Sequence, residues 1–177
     1  MAQNDEQRGR IWRGRKAAFA AMGRVSPNYY VQDGVVPRTR LPEVLKRIRL
    51  LEARSGLRIG NVFHAGDGNL HPLICYDDRV PGQADKAAEV AADILTYCLD
   101  AGGSLTGEHG IGLDKACSMP RMFTSDDLAL MQRARAAFDP QRLCNPGKVF
   151  PTPRLCGEVP GPYRQHPVER AGLAERF

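Results

Sequence analysis

The chain has 177 residues, 42% of them hydrophobic, which is enough for one compact domain with its own core and too little for two of full size. Its net charge of +5 is unevenly placed, because residues 1–54 hold 12 Lys and Arg against 5 Asp and Glu. This excess comes with no aromatic interleaving and no nucleic-acid motif, so it argues against a nucleic-acid partner and for a solvated helix face or a surface for an anionic substrate. The start, MAQNDEQRGR, is polar, and no stretch approaches the roughly 20 apolar residues of a membrane span. The expectation is a soluble, cytoplasmic protein with at most peripheral membrane association. Cys75, Cys98, Cys117, Cys144 and Cys156 are odd in number and form no C-x-x-C pair, which predicts reduced thiols and not a disulfide framework or a zinc knuckle.

Asn4 or Asp5 caps a first helix predicted over 5–23, with Trp12, Phe19 and Met22 on its buried stripe and Arg15 at the edge of that stripe. SPNYYVQDGVVPRT reads as extended chain with a turn at Asp33-Gly34. Pro42 opens a second helix that turns Val44, Leu45, Ile48 and Leu51 inward and stops at Gly56. Two strands, LRIGNVFH and NLHPLICY, precede a helix over 84–101 carrying Val90, Ile94 and Cys98, and a last helix is predicted over 125–138 with Thr124 or Ser125 as its cap. Residues 1–150 are expected to form one domain. Residues 151–177, with five prolines, are expected to form an extended or disordered tail.

The chemistry sits in two glycine-flanked motifs. In FHAGDGNLH, a two-residue turn at Asp67-Gly68 would set Ala65 across from Leu70 and His64 across from His71. Both imidazoles would then share a face with Asn69, while Phe63, Ala65 and Leu70 point into a core. In GGSLTGEHGIG, Glu108 and His109 stand between glycines in a run unsuited to a helix interior. Two imidazoles and one carboxylate form a three-ligand set with open positions, so His64, His71 and Glu108 are the candidate ligands of a divalent metal such as zinc, iron or manganese. Adjacent residues of an extended loop point in opposite directions, which would leave His109 facing a substrate as a general base. The residues alone leave a metal-dependent hydrolase open, because the same ion could activate water.

His64-Ala-Gly-Asp-Gly-Asn-Leu-His71, Gly107-Glu-His-Gly-Ile-Gly112 and Asn145-Pro-Gly-Lys148, together with Ile11–Lys16 and Asp33–Arg38, resemble the C-terminal part of FAD-linked 2-hydroxy-acid dehydrogenases. This group of vanillyl-alcohol oxidase type flavoproteins includes glycolate oxidases and D-lactate dehydrogenases. The resemblance implies an α+β, cap-like domain, an antiparallel sheet covered by helices, with FAD held mainly by an N-terminal domain that is not expected within these 177 residues. It further implies that His64, His71 and Glu108 bind the metal, that His109 is the catalytic base, and that Arg15 and Asn69 hold the carboxylate of a small 2-hydroxy acid. Asn145 and Lys148 would touch the cofactor. Phe19 and Val31 stand where some relatives carry polar substrate contacts, which favours short acids over dicarboxylates. A flavin-binding chain and other subunits of the glycolate oxidase type are the expected partners; an inactive remnant or interaction subunit is the alternative.

Overall fold

In the computed structural model, residues 2–152 and Cys156 are described. The chain separates into two compact units, Met1–Gly110 and Ile111–Phe177.

The first unit is built on β4 (Asn69–Tyr76), whose residues are buried from Asn69 to Cys75. β1 (Asn28–Val31) and β2 (Gly34–Val35) run antiparallel along one edge of β4 in a single register, from Asn28 opposite Tyr76 to Val35 opposite Asn69. That shared register sets Asp33 across from His71. β3 (Ile59–His64) occupies the other edge, from Ile59 opposite Ile74 to His64 opposite Asn69. The turn expected at Asp33-Gly34 is therefore absent. Pairing with β4 overrides the local turn chemistry, and Gly34 lies so close to α3 that a Cβ there would stand 2.9 Å from Cys98 Sγ.

On one face of this sheet, Leu70, Ile74 and Ile59 pack with Val44, Ile48 and Leu51 of α2 (Leu41–Ser55) and with Val90, Ile94 and Cys98 of α3 (Gln83–Asp100). Full burial of each such side chain contributes roughly 1.5–3 kcal/mol. Pro42 and Gly56 bound α2 as expected, Gly56 in the left-handed region at φ 71°. The opposite face carries Asn69, His71 and Leu73, with Met22 at the end of α1 (Asp5–Met22) seated over Gly60.

The expected stripe of α1 is only partly buried. Phe19 and Met22 are half-buried, but Trp12 is 55% exposed and no residue of the helix is fully buried. An 18-residue helix is about 27 Å long, and its contacts with the sheet, Met22 over Gly60 and Phe19 beside His71, lie towards its C-terminal end.

In the second unit a 3-10 helix, Ala116–Arg121, precedes α4 (Ser125–Phe138), which starts in a capping box between Thr124 and Asp127. The unit also corrects the cysteine reading: Cys117 is joined to Cys156 by a disulfide across 39 residues, while Cys75, Cys98 and Cys144 are not disulfide-bonded. Spacing along the chain does not reveal a partner so remote in sequence. Of the predicted tail, Pro151, Thr152 and Cys156 are described and the rest lies outside the described residues. The helices and small antiparallel sheet make an α+β protein, as expected.

Candidate functional site

The hairpin between β3 and β4 positions the two histidines by a route the sequence reading did not foresee. His64 pairs with Asn69, so Ala65–Gly68 form a four-residue loop, closed by the Asp67 N–H donating to the His64 carbonyl at 3.0 Å. Gly68 has no freedom to join a tight turn: its carbonyl accepts from the Val36 N–H at 3.0 Å, and a Cβ on it would lie 2.0 Å from the Val36 oxygen. The register is displaced by two residues from the expected one. An even displacement keeps every side chain on its face, so His64 and His71 become diagonal neighbours on the face that also carries Asn69. Their ring centroids are 5.4 Å apart and the rings nearly perpendicular. Ala65, expected in the core, is exposed in the loop.

Glu108 closes the cluster. Its Oε1 lies 2.9 Å from His71 Nε2 and 3.8 Å from both His64 Nε2 and His109 Nε2. His109 does not point away from Glu108. It stacks on His71, with centroids 4.9 Å apart and 13° between planes, because the 106–110 segment is curled and not extended.

The curl is wound around a residue that sequence reasoning passed over. Asp33, fully buried, accepts on Oδ2 from the Thr106 hydroxyl at 2.5 Å and from the backbone N–H groups of Gly107, Glu108 and His109 at 2.9, 3.0 and 2.9 Å. Thr106 Oγ1 in turn accepts from the Gly110 N–H at 2.8 Å. Burial alone would raise the Asp33 carboxyl, but these four donors outweigh it and hold the group well below the usual carboxylate range. Burial pushes His71 the other way for a base, down and towards the neutral form, aided by the neighbouring His109. One signal for Asp33 was available in sequence: with a period of two, Tyr29, Val31, Asp33 and Val35 share a face, which places a carboxylate among apolar neighbours.

Among the described residues, both ring nitrogens of His71 and Asn69 Oδ1 are buried without a hydrogen-bond partner. Each such orphan costs roughly 1–3 kcal/mol unless something outside the protein satisfies it. Asn69 lines a cleft of about 460 Å³ together with Val35, His64, Asp67, Gly107 and Glu108. A metal fits this arrangement. His64, His71 and Glu108 offer ligand atoms within 4.8 Å of one another, and two ligands at ordinary zinc bond lengths in a tetrahedral site stand roughly 3.3 Å apart. The 2.9 Å approach of His71 Nε2 to Glu108 Oε1, without hydrogen-bond geometry, suits two atoms sharing an ion.

Arg15 is half-buried one turn before Phe19 on α1, and the Phe19 ring lies 6.2 Å from that of His71. Asn145 and Lys148 belong to the second unit, in an exposed loop where Arg135 donates to the carbonyls of Cys144, Asn145 and Lys148 and where Asp139 accepts from the N–H groups of Leu143 and Cys144.

Residues 1–149 match the family model of FAD linked oxidases, C-terminal domain. The glycolate oxidase subunit GlcD of Escherichia coli K12 is 48% identical over 166 residues, which is 94% of this chain and 33% of that protein. The Bacillus subtilis GlcD is 34% identical over 149 residues, 84% of this chain and 32% of that protein. The mitochondrial D-lactate dehydrogenase [cytochrome] of Kluyveromyces lactis is 31% identical over 156 residues, 85% of this chain and 27% of that protein. The chain thus spans about a third of the length of these relatives, and within that span it belongs to the family of FAD-linked oxidases as their C-terminal domain.

Proposed function

We propose that the chain is the substrate- and metal-binding part of an FAD-dependent oxidoreductase that converts a small 2-hydroxy acid, glycolate or D-lactate, to the 2-oxo acid. The observation that carries this reading is the convergence of three imidazoles on Glu108 Oε1 around a buried His71 whose ring nitrogens have no hydrogen-bond partner among the described residues. His64, His71 and Glu108 would hold a divalent ion. When bound, such an ion would supply a Lewis acid that acidifies an α-hydroxyl, and an FAD held outside this chain would supply the acceptor for the hydride of the substrate's α-carbon.

The chain's own residues do the rest. His109, 45% exposed beside Glu108, accepts the hydroxyl proton on Nε2. Asn69 turns its amide into the cleft, and the Arg15 guanidinium suits a carboxylate, each charge-assisted hydrogen bond contributing roughly 1.5–3 kcal/mol. Phe19 and Val31 offer no partner for a distal carboxylate, which supports a short acid. Asn145 and Lys148 are proposed to touch the flavin, whose carbonyls and phosphates suit an amide and an ammonium. A flavin-binding chain and further glycolate oxidase-type subunits would complete the enzyme.

The test is to purify the full chain from its own cells with whatever binds it and assay glycolate and D-lactate with a dye acceptor. The complex should carry a flavin band and reduce the dye, and His109→Ala should lower turnover about 10²–10⁴-fold. Ester cleavage with no electron acceptor, or a colourless solitary chain, would overturn the reading.

A further inference from the structure

Asp33 and Thr106 have no place in the set just described, yet they hold its parts together. Asp33 faces His71 across the β2–β4 register, and its two carboxylate oxygens look in different directions. Oδ2 gathers four donors from Thr106 to His109 and so fixes where Glu108 and His109 leave the backbone. Oδ1 lies 3.9 Å from His71 Nδ1, while Nε2 of the same ring lies 2.9 Å from Glu108 Oε1. One side chain thereby touches both the loop that supplies Glu108 and the strand that supplies His71.

We infer that Asp33 is a positioning residue that sets the tautomer of His71, with the proton on Nδ1 and the lone pair of Nε2 towards Glu108, and holds the Glu108–His109 loop in register with that nitrogen. The metal part of this inference rests on the function proposed above. Ring orientation by a carboxylate on the far nitrogen is a general device in histidine metal sites, and removing the carboxylate weakens binding about 10–100-fold. At 3.9 Å the contact is longer than a hydrogen bond, and Oδ1 needs to approach Nδ1 by about 1 Å when the site is loaded.

Asp33→Asn keeps the side-chain shape and one acceptor oxygen for the loop, but it can present an amide to Nδ1 in place of a carboxylate. Zinc is titrated into the full chain against a chromophoric chelator, and the ¹⁵N resonances of His71 are recorded above neutral pH on metal-free chains that also carry Glu108→Ala, so that no carboxylate faces Nε2. The expected result is a 10–100-fold loss of zinc affinity together with a change of tautomer from Nδ1–H to Nε2–H. Thr106→Val, which removes one loop anchor without touching His71, should weaken zinc several-fold with the tautomer unchanged, and Thr106→Ser should restore it. A role in folding alone would leave the tautomer where it is. Asp33→Asn with native zinc affinity and native tautomer overturns the inference while leaving the metal site standing. A wild-type chain that ignores zinc removes the metal site, and the tautomer comparison then decides the role of Asp33 by itself.

Discussion

The two faces of β4 are both buried and chemically opposite. Leu70 and Ile74 on one side meet α2 and α3 in an apolar core, whereas Asn69 and His71 on the other carry polar atoms that no described group satisfies. The first face contributes stability and could be repacked with other apolar side chains. The second spends some of that stability to keep ring nitrogens and an amide oxygen available, which is the mark of a surface shaped for a ligand.

Substitutions on the two faces should therefore separate stability from binding. Ile74→Ala is expected to cost about 2–5 kcal/mol in denaturant unfolding while the folded protein still binds zinc. His71→Leu should do the reverse. Replacing an unsatisfied polar ring by an apolar side chain is expected to leave the metal-free chain as stable as before or to stabilise it by roughly 1–3 kcal/mol, with zinc binding abolished. A large destabilisation by His71→Leu would mean that the two faces are not different in kind.

Acid should distinguish them as well. The Asp33 carboxyl lies lower in the folded chain than its unfolded value of about 3.9, so the unfolded chain binds the proton first as pH falls. Its contribution is whole above about pH 5 and is lost as pH drops through the carboxylate range. Asp33→Asn should flatten that acid limb in a pH series of unfolding midpoints, while Ile74→Ala should shift all midpoints without changing their slope. The smallest expected effect is in the second unit, where Thr124→Ala should cost about 1 kcal/mol by breaking the capping box, with zinc binding untouched.

Much of the apolar face was legible from sequence because it obeys local rules. Pro42, Gly56, Thr124 and the 3.6-residue spacing of Val90, Ile94 and Cys98 mark their helices without help from the rest of the chain. The two histidine motifs were legible as chemistry, and the period of two put His64, Asn69 and His71 on one face even though the register was displaced. What escaped depends on distant partners. Asp33-Gly34 reads locally as a turn and is a strand only because β4 pairs with it. The tight turn at Asp67-Gly68 is lost to the contact between Gly68 and Val36. The exposure of Trp12 follows from how little of α1 the sheet can cover, and the Cys117–Cys156 bond from proximity across 39 residues.

The most direct test of the account is metal content. The full chain, stripped and then loaded with zinc, should retain one ion per chain. His109→Ala should retain it too, and His64→Ala, His71→Ala and Glu108→Gln should each lose it. Zinc held by the His71→Ala protein at wild-type affinity would contradict the assignment of this face as the metal site.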